Sequence, residues 1–143
     1  STAVLIQSNP YKFRAYRTSG HNFTNAFAKV PFDTESYDTN NNFTGGTYTA
    51  PVNGFYQFNA RCSTSQSSGT HRLVIELYKN GAEASRGSDG SGTFYNGSVV
   101  SDTLQLTAGQ TVEVYALADT TLAADVTVPS TTNFFSGHLV SRT

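Results

Sequence analysis

Few residues in this 143-residue chain are charged or sulfur-bearing. There is one cysteine, and there is no methionine or tryptophan. A single thiol, Cys62, excludes an intrachain disulfide framework, and its strand-like neighbours mark it as a small buried apolar residue. Charged residues are 13 % of the chain, about half the usual share. The net charge of −1 gives no basic patch to draw nucleic acid or an anionic membrane. No run of about 18 apolar residues exists to span a bilayer. The opening Ser-Thr-Ala-Val-Leu-Ile is too short and too uncharged for a leader peptide and reads as the interior of a longer chain. Helical periodicity is missing too: no window places apolar residues at helical spacing between caps.

Polar β-forming sequence takes their place. Strand signals recur roughly every 8–12 residues, the pattern of a sandwich or barrel. Leu73, Ile75 and Leu77 alternate with Arg72, Val74, Glu76 and Tyr78; Val112, Val114 and Ala116 alternate with Thr111, Glu113 and Tyr115. Asn80-Gly81 supplies the two positive-φ positions of a type I′ hairpin turn, and Ala108-Gly109 is a second turn. Residues 63–70, 85–92 and 120–130 read as loops, and Asn96-Gly97 as a bend inside a long strand over 93–106. Residues 37–58 read as strand, turn, strand, with Phe55, Tyr56 and Phe58 putting aromatics on both faces of the last strand. A strand with one wet face would not do so, and the same holds for the final strand with Phe134, Phe135, Leu139 and Val140. Two-sided apolar strands point to an oligomer. The expectation is one domain over residues 1–143: all-β, a ten-stranded antiparallel jelly-roll sandwich.

Catalytic and metal motifs give little. His21, His71 and His138 share no metal-ligand spacing. The run Arg86-Gly87-Ser88-Asp89-Gly90-Ser91-Gly92 is glycine-rich but lacks the lysine and helix of a phosphate loop. Asp89 and Asn96 are weak candidates for calcium, as oxygen ligands on a pliable loop. Asp33, Glu35 and Asp38 cluster at one turn without a partner across a cleft. No enzyme activity is expected, and no cofactor beyond that calcium possibility.

Five motifs in order resemble the C1q globular domain, within the tumour-necrosis-factor-like jelly rolls. Tyr37-Asp38 with Asn42-Phe43-Thr44 leads into Tyr48-Thr49-Ala50-Pro51, Gly54, Tyr56 and Phe58, which is similar to the signature F-T-x-P-x-x-G-x-Y-x-F with tyrosine for the first phenylalanine. Leu77-Tyr78-Lys79-Asn80-Gly81, then Ser101, Leu104, Leu106, Gly109, Val112 and Val114, and finally Phe135-Ser136-Gly137-His138-Leu139 complete the resemblance. Gln110 stands where the family usually has aspartate, and no Gly-X-Y stalk is present.

The resemblance implies a threefold assembly in which one sheet of each subunit packs around the axis. Strand alternation then assigns Tyr56, Phe58, Leu73, Ile75, Leu77, Val112 and Val114 to the sandwich core. It assigns Phe55, Gln57, Tyr115, Phe135 and Leu139 to the trimer interface. For Phe135 and Leu139 the intramolecular core is the alternative, because a two-sided strand cannot be phased from sequence. The functional expectation is a non-enzymatic homotrimeric recognition head whose loops bind a protein or glycan ligand. It would be the globular end of an extracellular, bacterial-surface or phage-fibre protein, placed outside the cell, on its surface or on a virion. The alternative is a structural trimerisation or capping module with no ligand of its own.

Overall fold

The computed structural model describes residues 9–65 and 68–143. The opening run and the centre of the 63–70 loop therefore lie outside the described residues. The strand segments in chain order are β1 (Lys12–Tyr16), β2 (Asn22–Phe23), β3 (Ala28–Lys29), β4 (Thr34–Asp38), β5 (Phe43–Thr44), β6 (Thr47–Thr49), β7 (Gly54–Ser63), β8 (His71–Lys79), β9 (Ala82–Arg86), β10 (Gly90–Gly92), β11 (Gly97–Leu106), β12 (Thr111–Ala118), β13 (Leu122–Ala123) and β14 (Phe134–Arg142). One helical turn, α1 (Pro129–Thr132), interrupts them.

Two antiparallel sheets face each other. The first runs β11-β7-β14-β1-β4; the second runs β10-β8-β12-β6-β5, with β3 paired to β12 and β9 paired to β8. A two-stranded ribbon, β13-β2, closes one end. This is the jelly roll expected, with more and shorter pieces than ten. The stretch 43–49 is two strands, because Gly45 and Gly46 take φ of 58° and 86° and make a hairpin pairing Thr44 with Thr47. Residues 85–92, expected as a loop, hold the end of β9 and all of β10. These two lie in tandem along one edge of β8. Gly87 between them donates its N–H to Ile75 O (2.8 Å), while Ser88 N–H reaches Val99 O (2.9 Å). This short segment therefore joins β8 of one sheet to β11 of the other, and only glycine fits: a Cβ there would lie 2.5 Å from Val99 O. In the expected 120–130 loop, β13 pairs with β2. The helical turn follows because Pro129 fixes φ at its first position and Asn133 Nδ2 ties back to Asp125 O (2.5 Å).

The core is a ring cluster. Phe13 stacks on Phe43 (centroids 4.9 Å) and Tyr48 (4.6 Å) and meets Phe135 edge-on (4.9 Å). Tyr56, Phe58, Leu73, Ile75, Leu77, Val112 and Val114 lie in the same buried cluster. Gly137, in register with both Phe13 and Phe58, makes room for them: a Cβ would come within 2.6 Å of Phe58 Cδ1 and 2.9 Å of Phe13 Cε1.

Three residues expected at the trimer interface, Phe135, Leu139 and Tyr115, do not share the outward face of Phe55 and Gln57. Phe135 is fully enclosed by Phe13, Phe32, Phe43 and Phe58, and Leu139 is buried in the same cluster. Pairing of Phe135 with the inward Ala60 sets the phase that the adjacent Phe134-Phe135 left open. Val140, next along the strand, alternates outward at a bulge between Leu139 and Ser141. Tyr115, in turn, belongs to β12 on the second sheet. It stacks on Tyr78 (centroids 3.8 Å) and shares no face with Phe55 and Gln57.

Candidate assembly face and apical loops

The outward face of the first sheet is built from alternate residues of its strands. On β7 these are Phe55, Gln57, Asn59 and Arg61; β14 contributes Phe134, Ser136, His138 and Val140; β11 adds Val99, Ser101 and Thr103. The middle is a polar ladder. Gln57 Nε2 donates to Ser101 Oγ (2.9 Å), Ser101 Oγ donates to Asn59 Oδ1 (2.8 Å), and Thr103 Oγ1 donates to Gln57 Oε1. Around it stand exposed apolar groups: Tyr37 (46 % exposed), Phe55 (39 %), Val99 (51 %) and Val140 (56 %). These four are the majority of the seven large hydrophobic side chains exposed among the described residues. Arg61 Nε on this face is buried with no acceptor among the described residues.

The other three exposed hydrophobics, Phe94, Tyr95 and Val128, lie in loops at one end of the sandwich. Backbone bonds gather these loops: Thr64 N–H to Asn96 O (2.8 Å), Ser65 N–H to Ala123 O (2.9 Å), Ala124 N–H to His21 O (2.8 Å) and Asp125 N–H to Ser63 O (2.8 Å). Phe94 and Tyr95 adopt φ of 51° and 40°, a region that costs a bulky residue about 1–3 kcal/mol. Sequence reading missed this pair, since a residue's type does not reveal the sign of φ.

Charges at this end are matched internally. Asp33 accepts bonds from the N–H and hydroxyl of both Thr18 and Ser19. Burial alone would raise its carboxyl, but these bonds outweigh it and hold the group well below the usual range. His71 faces Asp119 (3.2 Å) and Ser68 O (2.9 Å). Burial, helped by Arg17, pushes His21 below its ordinary value.

The calcium candidates do not form a site. Both Asp89 oxygens are taken by Arg72 (2.7 Å each), with the Arg86 guanidinium 3.7 Å away, and the Arg72 bonds lower its carboxyl. Asn96 turns its Nδ2 to His71 O (2.8 Å). A divalent cation at Asp89 would have to displace one guanidinium and tolerate the other.

On the outer face of the second sheet Glu76 is completely buried beneath Arg86, whose Nη2 lies 2.8 Å from Oε1. Its Oε2 has no donor among the described residues. Burial raises this carboxyl, against the pull of Arg86 and with the push of Glu83.

Known proteins share this architecture. The globular domain of zebrafish complement 1qA protein superposes with a TM-score of 0.66 at 19 % identity, covering 93 % of this chain and 99 % of that one. The Eiger TNF of S. frugiperda gives 0.66 at 10 % identity over 95 % and 96 %. Murine APRIL gives 0.61 at 10 % identity over 90 % and 99 %. At these identities the likeness speaks for the fold. No curated protein matches in sequence. The family model of the C1q domain matches residues 12–140, a family in which trimeric assembly is characteristic. The chain belongs to the C1q domain family.

Proposed function

We propose that this chain is a non-enzymatic, homotrimeric recognition head that binds a protein or glycan through its apical loops, at the globular end of a longer extracellular, cell-surface or virion protein. The observation that carries it is the gathering of Tyr37, Phe55, Val99 and Val140 on the outward side of one sheet. On a lone subunit these groups would leave an apolar rim in water; sister copies around a shared axis cover it. With that sheet turned inward, the loops at the end of the sandwich stay accessible and are presented three at a time, so weak single contacts add up.

Two measurements test the reading. Multi-angle light scattering should report a trimer. Panels of immobilised glycans and cell-surface proteins should retain the domain. A monomer that binds nothing on either panel would contradict it.

A further inference from the structure

We infer that the tip formed by Phe94 and Tyr95 is a binding site for a neutral pyranose sugar, an assignment that rests on the recognition reading above. The two rings are the largest of the exposed apolar groups at the apex, 54 % and 56 % exposed beside Val128 at 54 %. They are held out by a locked base. Asn96 accepts the Thr64 N–H through its carbonyl (2.8 Å) and donates its Nδ2 to His71 O (2.8 Å). Gly92 packs against the Asn96 side chain, where a Cβ would lie 3.2 Å from Oδ1. Two consecutive aromatics at positive φ, braced from below and bare above, form a preorganised platform rather than a collapsed loop.

The chemistry of the surroundings selects the ligand. Residues 90–98, Gly-Ser-Gly-Thr-Phe-Tyr-Asn-Gly-Ser, carry no charge. Two basic side chains beside the tip are already paired, Arg72 with Asp89 (2.7 Å) and His71 with Asp119 (3.2 Å), and Arg61, whose guanidinium reaches Gly97, sits on the outward sheet face with its Nε enclosed. Residues 90–98 themselves thus offer no charged group to a carboxylate or phosphate. A pyranose presents an apolar C–H face to an aromatic ring and hydroxyls at its rim, which the exposed Thr93 and Tyr95 hydroxyls can meet. The size fits as well. Two half-exposed rings offer roughly 200 Å². A protein interface needs about 800 Å² on each side. Three tips on one trimer would lift a weak sugar contact into useful avidity.

The test uses the intact domain on an array of neutral and sialylated oligosaccharides, beside F94A/Y95A, F94G/Y95G and Y95F. The glycine pair removes both rings while suiting the positive φ, so a fold lost in the alanine variant does not blunt the experiment. We expect wild type to retain neutral pyranose glycans and Y95F to keep most of that binding. Both double variants should lose on the order of tenfold or more, with unchanged oligomer mass. Undiminished glycan binding by the double variants would move the site elsewhere and leave the recognition reading intact. A preference for sialylated glycans, or binding only to proteins, would overturn the sugar assignment. Silence on every panel would remove it together with that reading.

Discussion

Two buried tyrosines on facing strands should respond to loss of their hydroxyl with opposite sign. Tyr48 on β6 is 1 % exposed, and its hydroxyl has no hydrogen-bond partner among the described residues. Tyr56 on β7 is equally buried, but its hydroxyl donates to Val52 O at 2.7 Å and accepts from Val52 N–H at 3.4 Å. Burial pushes both phenols above their ordinary range, Tyr48 the further of the two. A hydroxyl enclosed without a partner costs about 1–3 kcal/mol. Tyr48→Phe keeps the ring that stacks on Phe13 and removes that cost, less a small loss of packing around the vacated oxygen. We expect a net gain of about 1 kcal/mol, roughly 3–5 °C in melting temperature for a chain of this length. Tyr56→Phe strands the Val52 carbonyl and should lose about 1 kcal/mol. Circular-dichroism melts and urea titrations at one fixed protein concentration measure both, since assembly makes the midpoint concentration-dependent. Tyr48→Phe destabilised by 1 kcal/mol or more would refute the reasoning, because the hydroxyl would then have a partner the packing does not reveal.

Further expectations concern glycine fit, pH and the outward sheet. Gly137→Ala drives a methyl into Phe58 and Phe13, and Gly87→Ala drives one into Val99 O; each should cost about 2–3 kcal/mol or prevent folding, measured by urea titration. Asp33 has its folded-state pKa held below the ordinary 3.8, so its contribution is full above that value and is lost as the pH falls further. Wild type should therefore lose its stability advantage over Asp33→Asn in that acid range, and an advantage unchanged at the lowest pH would count against it. Glu76 is shifted upward, so its burden is present at neutral pH and lifts as the pH falls through the folded pKa. Wild type should accordingly gain on Glu76→Gln in urea midpoints on mild acidification. Phe55→Asp and Val99→Asp place charge on the outward sheet and should lower the particle mass by light scattering while the far-UV spectrum stays β-type.

Much of the fold was legible because its signals are local. Asn80-Gly81 adopts φ of 51° and 84° between paired Lys79 and Ala82, and Gly109 takes its turn at 90°. Alternation along β7, β8 and β12 told inward from outward residues, since period two is intrinsic to a strand. It could not tell which sheet an outward residue belongs to, and so Tyr115 was grouped with Phe55 across two different faces. Nor could it phase β14, where apolar residues are adjacent at 134–135 and 139–140 and only pairing to β7 decides. Gly87 looks like one flexible residue in a glycine-rich run. Its role as the contact between two sheets depends on strands far away in sequence, Ile75 and Val99. Asp89 had the right chemistry for a cation, but its partner Arg72 lies 17 residues away on a neighbouring strand.

The most direct test of the account is the mass of the isolated domain in solution, followed on dilution through the micromolar range. Copies that cover the Tyr37, Phe55, Val99 and Val140 face give a particle of about 46 kDa, three times the 15.4 kDa chain. A single 15.4 kDa particle throughout, with Phe55 and Val99 open to solvent in hydrogen exchange or chemical footprinting, would contradict it.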